Sequence, residues 1–244
     1  MYAFFPITIF PQNKVNIACI GNGVTAGVGV ENSAKNNFPQ QLQYLLGANY
    51  KVTNFGVEKA PLLSTGMNGY YKTTAFKKSH DIHPAIVFIE LGLDEILGKD
   101  SEVLSNFTSG LENLIKSYTF LPSPPRVILL LPLPNFIKDS SLLDNITIKN
   151  KIIPAIQKLA FDKNLELLDL YSLFIDKEDL FLDKIHPSSL GATIISKRLF
   201  EMVILNSTNH ASVFNKIKEP KTISNFYGYT CADFIFNNRN CKVV

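Results

Sequence analysis

Five short apolar runs recur along the chain, and most are separated by longer stretches with helical periodicity. Val15–Ile20 (VNIACI) ends at Gly21-Asn22-Gly23, and Tyr50–Phe55 alternates before Gly56. Pro84–Leu91 (PAIVFIEL), Arg126–Leu131 (RVILLL) and Leu165–Leu170 (LELLDL) complete the set. Between them, Phe38–Leu46, Ser101–Tyr118 and Ile146–Phe161 carry apolar residues at helical spacing, and Ser188–Leu205 follows the last run. Pro39 suits the first turn of its helix, whereas Pro154 predicts a kink or break. Strands alternating with helices of this length predict a parallel sheet covered on both faces, an α/β domain over residues 1–205.

Residues 206–244 change character. Pro220, several Asn and the aromatic runs FYGY and DFIF predict a C-terminal β-rich tail. It is either a hairpin packed on the domain or the start of a further domain after residue 244. A length of 244 residues suits one α/β domain with such a remainder.

The charge balance points to no polyanionic partner. Lys plus Arg (24) barely exceed Asp plus Glu (21), and no basic cluster marks a nucleic-acid surface. No stretch reaches the ~18–20 apolar residues a membrane helix needs. The opening MYAFFPITIF is short, lacks preceding basic residues and stops at Pro11, so it is not expected to be a signal peptide. Cys19 sits in an apolar run as a buried thiol. Cys231 and Cys241 are free to pair only if the chain is exported.

In an open parallel sheet, ligands sit beyond the carboxyl ends of the strands. The positions to weigh are therefore Gly21–Thr25, Gly56–Lys59, Gly92–Glu95 and a later loop, Asp183-Lys184-Ile185-His186-Pro187. An Asp three residues before a His can turn back and accept a hydrogen bond from the imidazole. That fixes the tautomer and supports the cation formed in general-base work. On spacing alone, a surface loop with an incidental Asp and His is the commoner explanation of the pair.

ACIGNGVTAGVG, NFGVEKAPLL, FIELGLDEI and LDKIHPSSLGA follow one another in the order and spacing of the four blocks of SGNH (GDSL-like) ester hydrolases. The chain resembles that family from Lys14 to Leu205, and within it the carbohydrate-esterase branch that includes sialate O-acetylesterase-like proteins. The resemblance implies a flavodoxin-like three-layer α/β/α sandwich with a five-stranded parallel sheet. It also implies hydrolysis of acyl esters, an acetylated carbohydrate or small ester as ligand, and an exported or periplasmic location. It implies no cofactor and no metal. In the family, a serine after Gly-Asp/Asn attacks the carbonyl. Its own N–H, a block-two glycine N–H and a block-three asparagine hold the oxyanion, while Asp-x-x-His supplies orienter and base.

This sequence departs from that pattern at three positions: Gly23 stands for the serine, Lys59 for the glycine and Asp94 for the asparagine. Only His186, with Asp183, matches; Asn22 and Thr25 are expected as pocket residues beside them. Losing one oxyanion donor costs ~10²–10³ in rate, and removing a serine nucleophile costs on the order of 10⁶ in kcat. Thr25 is expected on the far side of its turn, and Ser64 and Thr65 have no reason to reach His186. The resemblance therefore implies an impaired or inactive hydrolase. Two alternatives stand beside it: a non-catalytic carbohydrate-binding or scaffold domain of a larger enzyme, and an esterase using water or another nucleophile. Gly23, Lys59, Asp94 and His186 are expected in one pocket, with Lys59 and Asp94 compensating each other's charge.

Gly21-x-Gly23-x-x-Ala26 also fits a dinucleotide-binding fingerprint. Its context fails twice, because residues 27–32 read as loop and the second strand ends at Asn54-Phe55-Gly56 with no acidic residue. His80 and His83 flank Asp81 with no third ligand nearby and are expected to be surface histidines on a loop.

Overall fold

The computed structural model describes residues 14–62, 69–93, 101–137 and 145–207. Five parallel strands form one sheet in the order β2-β1-β3-β4-β5, with β1 Val15–Gly21, β2 Tyr50–Gly56, β3 Ile86–Glu90, β4 Arg126–Leu130 and β5 Glu166–Leu168. This is the flavodoxin-like order, whose strand sequence reverses between β1 and β3. All five residues of β3 are buried. Successive side chains point to opposite faces, so both faces must be covered, as a three-layer α/β/α fold requires.

The helices are α1 Gly23–Ala26, α2 Ser33–Asn36, α3 Phe38–Leu46, α4 Thr74–Asp81, α5 Ser101–Thr119, α6 Asn145–Thr147, α7 Ile153–Asp162, α8 Leu170–Phe174 and α9 Ser189–Ser207. Side-chain caps start three of them: Asn37 accepts from Gln40 N–H, Thr73 from Phe76 N–H and Asp169 from Ser172 N–H. Around Pro154 the helix does not break. A π-helical turn, Ile148–Ile152, joins α6 to α7 and absorbs the missing amide donor.

The chain divides into units Met1–Phe200 and Glu201–Val244. The expected β-rich tail, Cys231 and Cys241 lie outside the described residues, as do Ser64, Thr65 and Asp94. No helix among the described residues is long and apolar enough to cross a membrane.

His80 is a correction to the sequence-based expectation. It lies within α4, with Nδ1 2.9 Å from the Phe76 carbonyl and Nε2 3.0 Å from Ser117 Oγ, and it stacks on Tyr118 at 4.3 Å. The local sequence TAFKKSHD hid a short helix because its mean hydropathy is low. His83 is exposed.

Candidate functional site

The carboxyl edge of the sheet is drawn tight by glycines. A Cβ on Gly21 would fall 2.1 Å from Thr25 Oγ1 and 2.4 Å from the Glu90 carbonyl oxygen. One on Gly56 would fall 2.2 Å from the backbone nitrogen of Ala26. These contacts let the single turn α1 nest against the ends of β1, β2 and β3. A single helical turn opens at Gly23, and Gly27 in the left-handed region (φ 89°) ends it after four residues, so residues 27–32 run as the expected loop. The carbonyl of Gly21 accepts from Val57 N–H at 2.9 Å and ties the block-two loop to the same edge.

Thr25 and Asn22 are both buried. Thr25 is fully buried, and its hydroxyl donates to Glu90 Oε2 at 3.3 Å, beneath the turn. Asn22 is 3% exposed, with both side-chain amide atoms buried and unpartnered. Such orphaned groups cost about 1–3 kcal/mol each.

Asp183 is bound into the turn it begins. Its Oδ1 accepts from the N–H of Ile185 at 2.9 Å and of His186 at 2.6 Å. Its Oδ2 lies 2.7 Å from His186 Nδ1. A carboxylate can only accept, so Nδ1 carries the proton and Nε2 is left with a free lone pair. Burial works to raise the Asp183 carboxyl, yet the backbone and imidazole bonds of His186 and the N–H of Ile185 outweigh it and hold it below its ordinary value.

Nε2 points at Gly23. A Cβ built on Gly23 would lie 2.7 Å from it, closer than real side chains approach. The imidazole thus stands against the spot where a residue-23 side chain would begin. From behind, Gly29 (φ 77°) packs so closely that a Cβ there would sit 2.8 Å from His186 Cβ.

Lys59 adopts φ 56°, the left-handed region that favours glycine. Its ammonium is 3.1 Å from Glu58 and its side chain is 84% exposed. A charge so exposed needs no compensation by Asp94, which removes the reason for the expected pairing. Lys59→Gly should relieve the left-handed strain of about 1–2 kcal/mol while adding unfolded-state entropy worth about 0.4–1 kcal/mol. Chemical denaturation is expected to show a small net gain in stability.

Three features of this edge escape a sequence reading. Glu90 beneath α1 had a signal, a lone charge inside an apolar strand. Gly29 behind His186 had a weaker one, the repeated glycines of Gly27-Val28-Gly29. The pairing of Asn135 with Asn145 had none. Among the described residues no three His, Cys, Asp or Glu side chains cluster in a way that could hold a metal.

Comparison with known proteins adds the following. Residues 19–194 match the GDSL-like lipase/acylhydrolase family. An acetylxylan esterase from Xylanibacter ruminicola is 31% identical over 210 residues, covering 79% of this chain but 43% of that protein. The chain thus spans less than half the length of this curated relative. A carbohydrate acetylesterase from Sinorhizobium meliloti superposes with a TM-score of 0.63 at 15% identity, over 79% of this chain and 100% of the other. The inhibitor-bound aryl esterase of M. smegmatis gives 0.64 at 18% identity, over 78% and 98%. At these identities the two structures speak for the fold alone, and it is the same fold.

Proposed function

This chain belongs to the GDSL-like lipase/acylhydrolase family, and from that premise we propose that it recognises acetylated carbohydrate while its ester-hydrolysing chemistry is impaired or lost. One observation carries the proposal: Gly23 offers no nucleophile, and His186 Nε2 stands 2.7 Å from the place its side chain would begin. The base and its orienter are in place, but the base has nothing on residue 23 to deprotonate. Lys59 still carries a backbone N–H at the block-two position, but the carboxylate of Asp94 replaces the block-three amide that holds the oxyanion in the family. An ionised carboxylate donates no hydrogen bond and repels developing negative charge. The acetylxylan esterase relative supports an acetylated polysaccharide as ligand class.

Isothermal titration of the full chain with an acetylated xylo-oligosaccharide, followed by proton NMR for free acetate, tests this. Saturable binding without acetate release above a His186→Ala control is the expected result. Release that depends on His186 would establish an active esterase. No binding at all would leave a scaffold role.

A further inference from the structure

The segment that follows β4 touches the site from two sides. At one end, Phe136 N–H donates to the carbonyl of Lys184 at 2.7 Å, and its ring packs on Phe181 at 5.0 Å. Lys184 lies inside the Asp183–His186 turn. At the other end, Ile152 of the π-helical turn packs on the block-three loop, where a Cβ on Gly92 would meet its Cγ2 at 2.7 Å.

A clasp between two asparagines fastens the segment. Asn135 Nδ2 and its backbone N–H both lie 3.2 Å from Asn145 Oδ1, and Asn145 Nδ2 donates to the Asn135 carbonyl at 2.6 Å. Asn135 Oδ1 accepts from Ile137 N–H at 3.3 Å. Asn135 is 1% exposed, and all its polar groups are engaged. A buried amide satisfied in this way specifies one loop geometry, because any shift leaves several groups unpaired.

Lys184 makes that geometry matter. It sits at φ 67°, a left-handed conformation that a lysine keeps only where its surroundings over-determine it. Its carbonyl is held by Phe136, and its own N–H by the Phe181 carbonyl at 3.1 Å. If Phe136 lets go, Lys184 can relax toward an ordinary φ, and the turn that aligns Asp183 with Nδ1 is lost.

We propose that Asn135 is a positioning residue for His186: clasped to Asn145, it holds Phe136 on Lys184 and so keeps Nδ1 on Asp183 and Nε2 toward Gly23. The proposal rests on the Asp183–His186 dyad as the working group of the site. It does not depend on whether that group binds or catalyses.

The test is the tautomer of His186, read from imidazole ¹⁵N shifts of the full chain above the histidine titration. The unmodified chain should hold the Nδ1–H form. Asn135→Ala, and equally Asn145→Ala at a half-buried position, should raise the Nε2–H population about fivefold, the factor set by one ordinary hydrogen bond. Ser79→Ala, which breaks a buried 2.6 Å bond to Tyr118 elsewhere, should lower stability and leave the tautomer unchanged. An unchanged tautomer in Asn145→Ala, with a changed one in Asp183→Asn, would overturn the role of the clasp and leave the dyad standing. No change in either variant would overturn both.

Discussion

Gly23→Ser alone should restore little hydrolysis, whereas Gly23→Ser with Asp94→Asn and Lys59→Gly should react with an active-site serine reagent. Both variants share one steric cost: the new Cβ would begin 2.7 Å from His186 Nε2, and the ring must give way against Asp183, 2.7 Å from Nδ1, and Gly29 behind its Cβ. The difference between the variants is electrostatic. In the family pattern the block-three amide holds the oxyanion, and this chain carries the carboxylate of Asp94 at that position. Restoring an amide there is expected to add at least ~10²-fold over Gly23→Ser, the worth of one oxyanion donor. Lys59→Gly should contribute mainly relief of strain, since Lys59 already holds the left-handed backbone. Residues acting as a unit recover non-additively, so the triple variant should exceed the product of its parts. Covalent labelling by a phosphonate, located by mass spectrometry, and initial rates on an aryl acetate provide the measurements. Full recovery by Gly23→Ser alone would mean that Asp94 does not face the oxyanion.

Gly56→Ala should be strongly destabilising. Its Cβ would sit 2.2 Å from Ala26 N and 2.6 Å from the Thr25 carbonyl carbon, both backbone atoms that cannot rotate aside. Either β2 or α1 must move, and overpacking of this kind costs about 3 kcal/mol or more. Gly47→Ala is the matched control. Gly47 has φ 73° and ψ −159°, a conformation essentially reserved for glycine, and nothing within 4 Å of a built Cβ, so it should lose only the backbone strain of about 1–3 kcal/mol. Urea denaturation of both variants separates the two costs. Equal losses would show that α1 does not depend on close approach to β2.

How much of this was legible before folding varies by element, for physical reasons. The buried strands were plain because central parallel strands read as unbroken apolar runs, as VNIACI and PAIVFIEL do. α4 was missed because its short polar surface leaves only Ser79 fully buried. The spacing of Asp183 and His186 lets one side chain cap its own turn and reach the ring, but the pair stood out only through its place in the four ordered blocks. The conformation of Lys59 could not be read, since a lysine at φ 56° looks like any other lysine in a sequence. Nor could the Asn135–Asn145 clasp, whose partners are ordinary loop residues until the chain brings them together.

The central claim is that residue 23 no longer supplies a nucleophile and that the dyad alone does not replace it. Hydrolysis of a small aryl acetate by the unmodified chain, measured beside His186→Ala under identical conditions, tests this most directly. Equal rates, both at the uncatalysed background, are expected. Robust turnover that vanishes with His186 would contradict the claim and place an unrecognised nucleophile, or an activated water, within reach of Nε2.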